Sequence, residues 1–345
     1  MKATWFERHG GPEVLRTGEV PDPVLGPGEA LIRVRAAACN FNDIWARQGL
    51  ERIHVPLPHI SGTEAAGEVV EVAPDVTTCK PGDAVITYPL RTCRRCAACL
   101  AGDEVFCRHM LIWGFQTGPY DGAYATYAKL QAQQLQPKPA HLDWTDAAAI
   151  SSTLLIAWRM LVTRARLQAG ETVLIWGASG GTGSVAIRLV RLLGAVPIAV
   201  TSSDAKAEFC HAQGAEHVLR VDRQDVATAA RKLTGGGVDV VFDHVGVDVF
   251  TASVLALRWG GRFVTCGATT GYDAPLDLRM LWNKQLSLLG SHVGNHHEWV
   301  ASNRLVEAGR IAAPVTEVVG LEDLADVQRR MAARAVMGKI AVRVA

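Results

Sequence analysis

Cys93, Cys96, Cys99 and Cys107 form the pattern C-x2-C-x2-C-x7-C, four thiols crowded into one short stretch. Four soft thiolates in one loop suit a tetrahedral zinc ion, and a full set of protein ligands leaves no open coordination position for a substrate. An iron–sulfur cluster is the chemical rival, but this spacing inside a β-rich loop favours zinc. One structural Zn(2+) per subunit is therefore expected, stapling a lobe at about 90–110 that has little core of its own. The other cysteines, Cys39, Cys79, Cys210 and Cys266, lie in apolar contexts and read as packing residues.

A second constellation is Gly177-Ala178-Ser179-Gly180-Gly181-Thr182-Gly183, which follows the strand-like run ETVLIW and opens a helix. There the chain must turn tightly and approach a pyrophosphate closely, so side chains are absent. The free N–H groups and the positive dipole end of the helix then receive the phosphates. With a strand before it and a helix after it, the loop points to a dinucleotide. The end of the next strand decides which one. An acid there would hold a ribose 2′-hydroxyl, but this chain has Thr201, Ser202 and Ser203, then Asp204 and Lys206. Small hydroxyls with a nearby Lys accept a 2′-phosphate, so NADPH is favoured over NADH. Asp204 falls late and is read as the cap of the following helix.

Two kinds of texture must position these groups. Residues 1 to about 150 read as short β segments, among them 30–38, 65–73, 83–88 and 122–130, split by turn signals such as PDPVLGPGE and KPGD. From about 146 the texture changes. A helical run over 146–167 leads into alternating strands and helices, with apolar strand runs at 171–177, 196–201, 217–222, 238–246, 261–267 and 287–294. Such alternation implies βαβ crossovers and a doubly wound parallel sheet. A helix, a loop and a terminal strand at 339–344 close the chain. The expected fold is α/β, with a β-rich domain from 1–150 and 296–345 and a dinucleotide-binding domain at 151–295.

Composition excludes several function classes. The 345 residues carry 35 Lys+Arg against 34 Asp+Glu, a net charge of +1 that offers no basic face for nucleic acid. Hydrophobic residues at 49% and charged residues at 20% fit a folded globular chain. No uninterrupted apolar stretch approaches the length of a membrane span, and the start MKATWFERHGGPEVL has no signal-peptide core. Cytoplasmic location, no membrane partner and a small-molecule substrate are the expectations.

The combination resembles the medium-chain dehydrogenase/reductase superfamily over essentially the whole chain. The markers are GGPEVL (10–15), PGDAV (81–85), the cysteine lobe, GASGGTG (177–183), FDHVG (242–246), GRFVTCGATTG (261–271) and the terminal GKIAV (338–342). The resemblance implies a GroES-like catalytic domain joined to a Rossmann domain, and a homodimer or homotetramer with a contact near SLLGSHVG. It also implies that Ser152, Val245, Gly267, Ala268 and Lys339 border the cofactor.

The departures carry more information than the matches. Zinc alcohol dehydrogenases of this superfamily hold a catalytic metal at three positions that align with Asn40, Thr63 and Ser152. None of these supplies a thiolate, imidazole or carboxylate. Glu64 remains, but one carboxylate does not build a metal site. The structural zinc is kept and the catalytic zinc ligands are replaced. Without that Lewis acid, a simple alcohol or ketone is hard to polarise. A conjugated acceptor needs less help, because hydride enters the β carbon while charge spreads onto the carbonyl oxygen, where hydrogen-bond donors hold it. The segment Asn40-Phe-Asn-Asp43 and the glycine loop also resemble the metal-free quinone oxidoreductase and enoyl/enone reductase branches. That resemblance makes Asn40 and Thr63 candidate donors, with a loop-stabilising role for Asn40 as the alternative. Asp43 reads as a helix cap or backbone acceptor, and no proton donor for the α carbon stands out. His244 lies at a strand's carboxyl end, where either a ligand contact or packing suits it. Trp113, Phe115 and Tyr120 suit either a pocket wall or the core, and His292, His296 and His297 read as solvated. An alcohol dehydrogenase with a proton relay and a catalytically silent cofactor-binding protein are the alternative functions.

Overall fold

The computed structural model describes residues 1–344. The chain divides into two compact units, one made of residues 1–152, 295–307 and 315 onward, the other of 153–294 and 308–314. The short segment Ala308–Pro314 groups with the second unit, whereas the sequence reading placed it in the first.

In chain order, the first unit begins with β1 (Lys2–Trp5), β2 (Arg16–Glu19), β3 (Glu29–Ala38), α1 (Phe41–Gln48), β4 (Ala65–Val72) and β5 (Ala84–Thr87). Then come β6 (Leu90–Arg91), α2 (Ala97–Leu100), β7 (Leu111–Ile112), β8 (Tyr127–Gln131), β9 (Leu135–Pro137) and α3 (Trp144–Trp158). The second unit holds β10 (Thr172–Ile175), α4 (Gly181–Leu192), β11 (Val196–Thr201), α5 (Asp204–Gln213), β12 (His217–Arg220), α6 (Val226–Thr234), β13 (Val238–Asp243), α7 (Val247–Ala256), β14 (Leu257–Thr265), α8 (Leu278–Asn283) and β15 (Ser287–Gly290). The chain returns to the first unit with α9 (His296–Glu307), β16 (Val315–Val319), α10 (Leu324–Ala332) and β17 (Lys339–Arg343).

The first unit is a seven-stranded sheet in the order β16-β17-β3-β4-β5-β9, with β8 also on β3. Pairing is antiparallel except for β16 with β17. Alternation along β3 sends Ile32 and Val34 into a core shared with Ile60, Trp113, Tyr124 and Ile340. The expected strand at 122–130 is shorter, because Gly122 lies flat against the Ile60 and Ser61 carbonyls and the backbone of Ala123 and Tyr124 bonds to Gly62 and Ser61. A separate two-stranded ribbon, β6 with β7, brackets the cysteine lobe.

The second unit is a six-stranded sheet, all parallel, in the order β12-β11-β10-β13-β14-β15. Its central strands are apolar on both faces, with Val173, Leu174, Ile175, Val240, Val241 and Phe242 fully buried. That burial explains the near-continuous apolar runs in the sequence. The chain winds outward from β10 to β12 and then restarts at β13 on the other side of β10, which makes the β10/β13 boundary the topological switch point.

The long helical run differs from the expectation over 146–167. It is α-helical to Trp158 and continues as a π-helical turn over Arg159–Arg164, closed by the Ala165 N–H on the Met160 carbonyl. By length and composition Trp144–Arg164 could cross a membrane, contrary to the first impression from the sequence. However, 78% of its most apolar window is buried inside the protein, as in a core helix.

Candidate active site

The cysteine lobe is built on short elements. Cys93 follows β6, Cys96 caps α2, Cys99 lies within α2, and Cys107 ends the 3-10 turn Glu104–Phe106. The Sγ atoms of Cys96 and Cys99 are 3.5 Å apart, those of Cys93 and Cys107 3.5 Å, and those of Cys93 and Cys99 3.9 Å. All four lie within 4.8 Å of one another. A tetrahedron with Zn–S bonds of about 2.3 Å has S–S edges of roughly 3.8 Å, so the thiols fit zinc. Backbone N–H groups of Arg95 and Cys96 pull the Cys93 thiol down to about 6, whereas burial and the neighbouring thiols push Cys99 up to about 12. His292 is exposed and His297 meets the Gly102 carbonyl. His296, expected in solvent, instead packs edge-on to Tyr88 and against Trp299.

In the same unit, the three positions aligned with a catalytic metal do come together, but around a different chemistry. Asn40 precedes α1, Thr63 and Glu64 lead into β4, and Ser152 lies in α3. The Asn40 amide Nδ2 donates to Glu64 Oε1 at 2.9 Å and to Thr63 Oγ1 at 3.4 Å. Lys339, the first residue of β17, donates to Asn40 Oδ1 at 2.8 Å and to the Cys39 carbonyl at 3.1 Å. It also forms an ion pair with Glu64 Oε1. The Ser152 backbone N–H donates to Glu64 Oε2 at 3.0 Å. An amide, two hydroxyls and a carboxylate already paired with an ammonium do not make a metal site, and among the described residues only the four cysteines form a candidate metal group.

This geometry bears on two expectations. Lys339, expected to border the cofactor, directs its three ammonium hydrogens at Cys39, Asn40 and Glu64. Asn40 is likewise engaged on both ends of its amide. The Thr63 hydroxyl accepts from Asn40, yet its own proton has no acceptor among the described residues, and the buried Ser152 Oγ is unpartnered. Asp43 serves as expected for a cap: its carboxylate accepts the Asn40 N–H at 2.8 Å, and also the Tyr124 hydroxyl at 2.5 Å. Burial pushes its carboxyl up to about 6 against the pull of those two donors. Trp113 and Phe115 are core residues, Trp113 donating to Asp121 at 3.0 Å.

In the second unit, Gly177 takes a positive φ of 59°, and a Cβ there would strike the His244 ring at 2.7 Å. A Cβ on Gly183 would meet the Gly177 carbonyl at 2.4 Å, so the helix packs against the turn only without a side chain. Gly180 is the N-cap of α4 and brings no side-chain cap, which leaves the N–H groups around Gly181 and Thr182 for a ligand. Ser179 is buried within the turn. Four buried polar atoms of this unit lack protein partners at the carboxyl ends of strands: Trp176 Nε1 after β10, Thr201 Oγ1 on β11, His244 Nε2 after β13 and Ser291 Oγ after β15. Such a row of orphaned groups along one sheet edge fits an extended polar ligand. Val245, Gly267 and Ala268 gather at the same edge; a Cβ on Gly246 would touch Ala268 at 2.8 Å, and Thr265 Oγ1 donates to the Gly267 carbonyl at 3.0 Å.

At the end of β11, Lys206 Nζ donates to Ser202 Oγ at 3.4 Å. The cap of α5 is Ser203, which accepts the Lys206 N–H at 3.3 Å; Asp204, read as the cap, instead forms ion pairs with Arg220 and Arg223. Arg220 sits directly beside Thr201 in the β11/β12 register. Both arginines escaped the sequence reading. The one signal for Arg220 was a charge interrupting the apolar run HVLRVD, and only strand pairing places it beside Thr201.

Comparison with known proteins matches both units. The alcohol dehydrogenase GroES-like domain family matches residues 26–140, and the zinc-binding dehydrogenase family matches residues 181–308. The crotonyl-CoA reductase of Streptomyces avermitilis is 37% identical, over 90% of this chain and 77% of that protein. A crystal structure of an NAD-dependent alcohol dehydrogenase superposes with a TM-score of 0.94 at 36% identity over the full length of both chains. A crotonyl-CoA carboxylase/reductase in complex with NADP superposes with a TM-score of 0.91 at 30% identity, covering 99% of this chain and 94% of that one. With glycine turn, cysteine lobe and both folded units in place, the chain belongs to the medium-chain dehydrogenase/reductase superfamily and is an oxidoreductase of that type.

Proposed function

We propose that this protein is an NADPH-dependent reductase of C=C bonds conjugated to a carbonyl, with 2-enoyl thioesters of coenzyme A as the substrate class. The observation that carries the reading is the convergence of Asn40, Thr63 and Ser152 on the Glu64–Lys339 pair, where a metal-dependent relative would need ligands. The crotonyl-CoA reductases among its relatives supply the substrate class.

When bound, the reduced nicotinamide supplies the hydride. The chain's own groups bind, orient and stabilise. The glycine turn and the N-terminus of α4 hold the pyrophosphate, and Thr201, Ser202, Lys206 and Arg220 receive the 2′-phosphate. The Lys339–Glu64–Asn40 network fixes Thr63, so that its free hydroxyl proton points to the oxygen that gains charge as hydride reaches the β carbon. Ser152 Oγ is the second donor of this pair. The electron pair displaced from the C=C bond resides on the thioester oxygen as an enolate and collapses as the α carbon takes a proton from solvent.

The chain works as a homo-oligomer through the outer edge of β15, the last strand of its sheet. Leu288 on that strand and Trp259, Leu278 and Trp282 in the same unit are exposed apolar side chains that support the reading. Four thiols reserved for zinc agree with the reducing cytoplasm.

Product analysis tests the reading. With NADPH and a short 2-enoyl thioester or 2-enal, the saturated product is expected, with deuterium from 4-deuterated NADPH on the β carbon. An allylic alcohol would mean carbonyl reduction and place the protein with the alcohol dehydrogenases. Light scattering of the purified protein reads the oligomer.

A further inference from the structure

Ser151, next to the residue whose N–H holds Glu64, is a junction. The indole N–H of Trp299 donates to Ser151 Oγ at 2.8 Å, and that hydroxyl donates to the Thr87 carbonyl at 2.9 Å. Thr87 in turn accepts the Ala65 N–H on its own hydroxyl at 2.9 Å. Trp299, Ser151 and Thr87 are all fully buried. Glu64 is therefore held from two directions: its backbone neighbour Ala65 through Thr87, and its carboxylate through the Ser152 N–H.

Trp299 lies in the first turn of α9, and the start of α9 is tied to the cysteine lobe. Asn295 Oδ1 accepts the Val105 N–H at 3.0 Å, and its Nδ2 donates to Asp103 at 3.2 Å. The His296 N–H donates to the buried Glu104 carboxylate at 3.4 Å. His297 meets the Gly102 carbonyl at 3.1 Å. All of these residues belong to the first unit. The cysteine loop is thus joined to the carboxylate at the centre of the candidate active site through hydrogen bonds and short stretches of α9 and α3 backbone.

We propose that Trp299 is a positioning residue for reduction, and that through it the cysteine lobe sets the placement of the Glu64–Lys339–Asn40 network. Trp299 touches neither substrate nor cofactor in this role. It acts by orienting the hydroxyl of Ser151, which ties the middle of α3 to Thr87 at the end of β5. A buried hydroxyl with its donor removed can turn, and a small displacement of a positioning group lowers turnover more than binding. The role in turnover rests on the reductase reading above, whereas the mechanical coupling does not.

Trp299→Phe removes the indole N–H together with the five-membered part of the ring system, and Ser151→Ala removes the hydroxyl at the junction while leaving Trp299 in place. In the zinc-loaded protein each is expected to lower kcat about tenfold with KM for NADPH within about twofold of wild type. The double variant is expected to be no slower than either single one, because both break the same link. Hydrogen–deuterium exchange gives a readout independent of substrate. Protection of peptides covering Thr63–Ala66 and Ser151–Thr153 is expected to fall in Trp299→Phe, and equally in wild type stripped of zinc by a chelator under reducing conditions. Zinc removal from Trp299→Phe is expected to add little at those peptides. Unchanged kcat in Trp299→Phe, multiplicative losses in the double variant, or a melting temperature that falls with kcat and exchange at the site intact would each overturn the proposal. If the exchange coupling is present but no enoyl substrate is reduced by wild type, the substrate reading fails and the coupling stands.

Discussion

The Lys339 ammonium and the Glu64 carboxylate form an ion pair shut off from water, with side chains 2% and 0% exposed. Lys339 enters from β17 near the C-terminus, Glu64 from the approach to β4, and both reach Asn40. Two buried charges hold only when each is matched by its partner and by further hydrogen bonds. Here the Asn40 amide, the Ser152 N–H and the Cys39 carbonyl complete the match.

Breaking the pair from one side leaves a buried charge without its counterpart. Lys339→Met or Glu64→Leu alone is expected to destabilise the protein by roughly 3–5 kcal/mol. The double variant Lys339→Met/Glu64→Leu is expected to regain a large part of that loss while remaining inactive. Urea unfolding of the three proteins checks the ordering.

Thr63→Val removes the hydroxyl proton and keeps the side-chain volume. Removing one donor to a developing oxyanion lowers turnover by about a hundredfold. Thr63→Ser is expected to retain most activity, and NADPH affinity is expected to be unchanged in both. A Thr63→Val enzyme with wild-type kcat removes Thr63 from the chemistry.

Cofactor choice rests on the end of β11. Arg220→Ala takes away a cation beside Thr201 and leaves Asp204 with only its ion pair to Arg223. KM for NADPH is expected to rise about tenfold or more, with NADH changed by less than about twofold. Equal changes for the two cofactors would place the 2′-phosphate elsewhere.

The metal content follows from the donor sets. Purified protein is expected to carry one zinc per subunit, held by Cys93, Cys96, Cys99 and Cys107. Cys99→Ser should lose that zinc and with it the order of the lobe. A content near two in metal analysis would mean that the Asn40–Thr63–Ser152 site binds metal after all.

Asp43 makes stability depend on pH. Burial raises its carboxyl from 3.8 to about 6, so between those values the folded protein keeps a proton that the unfolded chain has released. The unfolded state binds fewer protons there, and stability falls as pH rises through that window, by about 3 kcal/mol from this group alone. Asp43→Asn is expected to lack this component. The stability difference between wild type and Asp43→Asn, measured by urea at pH 4 and pH 7.5, should shift in favour of the variant at the higher pH. A pH-independent difference would show that Asp43 ionises normally.

The chemistry of the lobe and the turn was legible in the chain itself, because both depend on spacing along it. Four cysteines within one loop reach one ion, and a glycine cluster between an apolar strand and a helix forms a phosphate cradle, whatever surrounds them. The alternation of strands and helices from about 146 likewise announced a parallel sheet, since helix and strand periodicities are local properties. The replacement of metal ligands by Asn40, Thr63 and Ser152 was visible once those positions were aligned.

What those positions do was decided in three dimensions. Asn40 and Lys339 are 299 residues apart, and nothing in either segment shows that an ammonium would meet that amide. The pairing of β17 with β3 brings them together. Arg220 became a neighbour of Thr201 only through the β11/β12 register, and Ser203 displaced Asp204 as the helix cap because Asp204 found two arginines. Contacts set by strand pairing and by burial of charge depend on the whole sheet, whereas a motif depends on a dozen neighbouring residues.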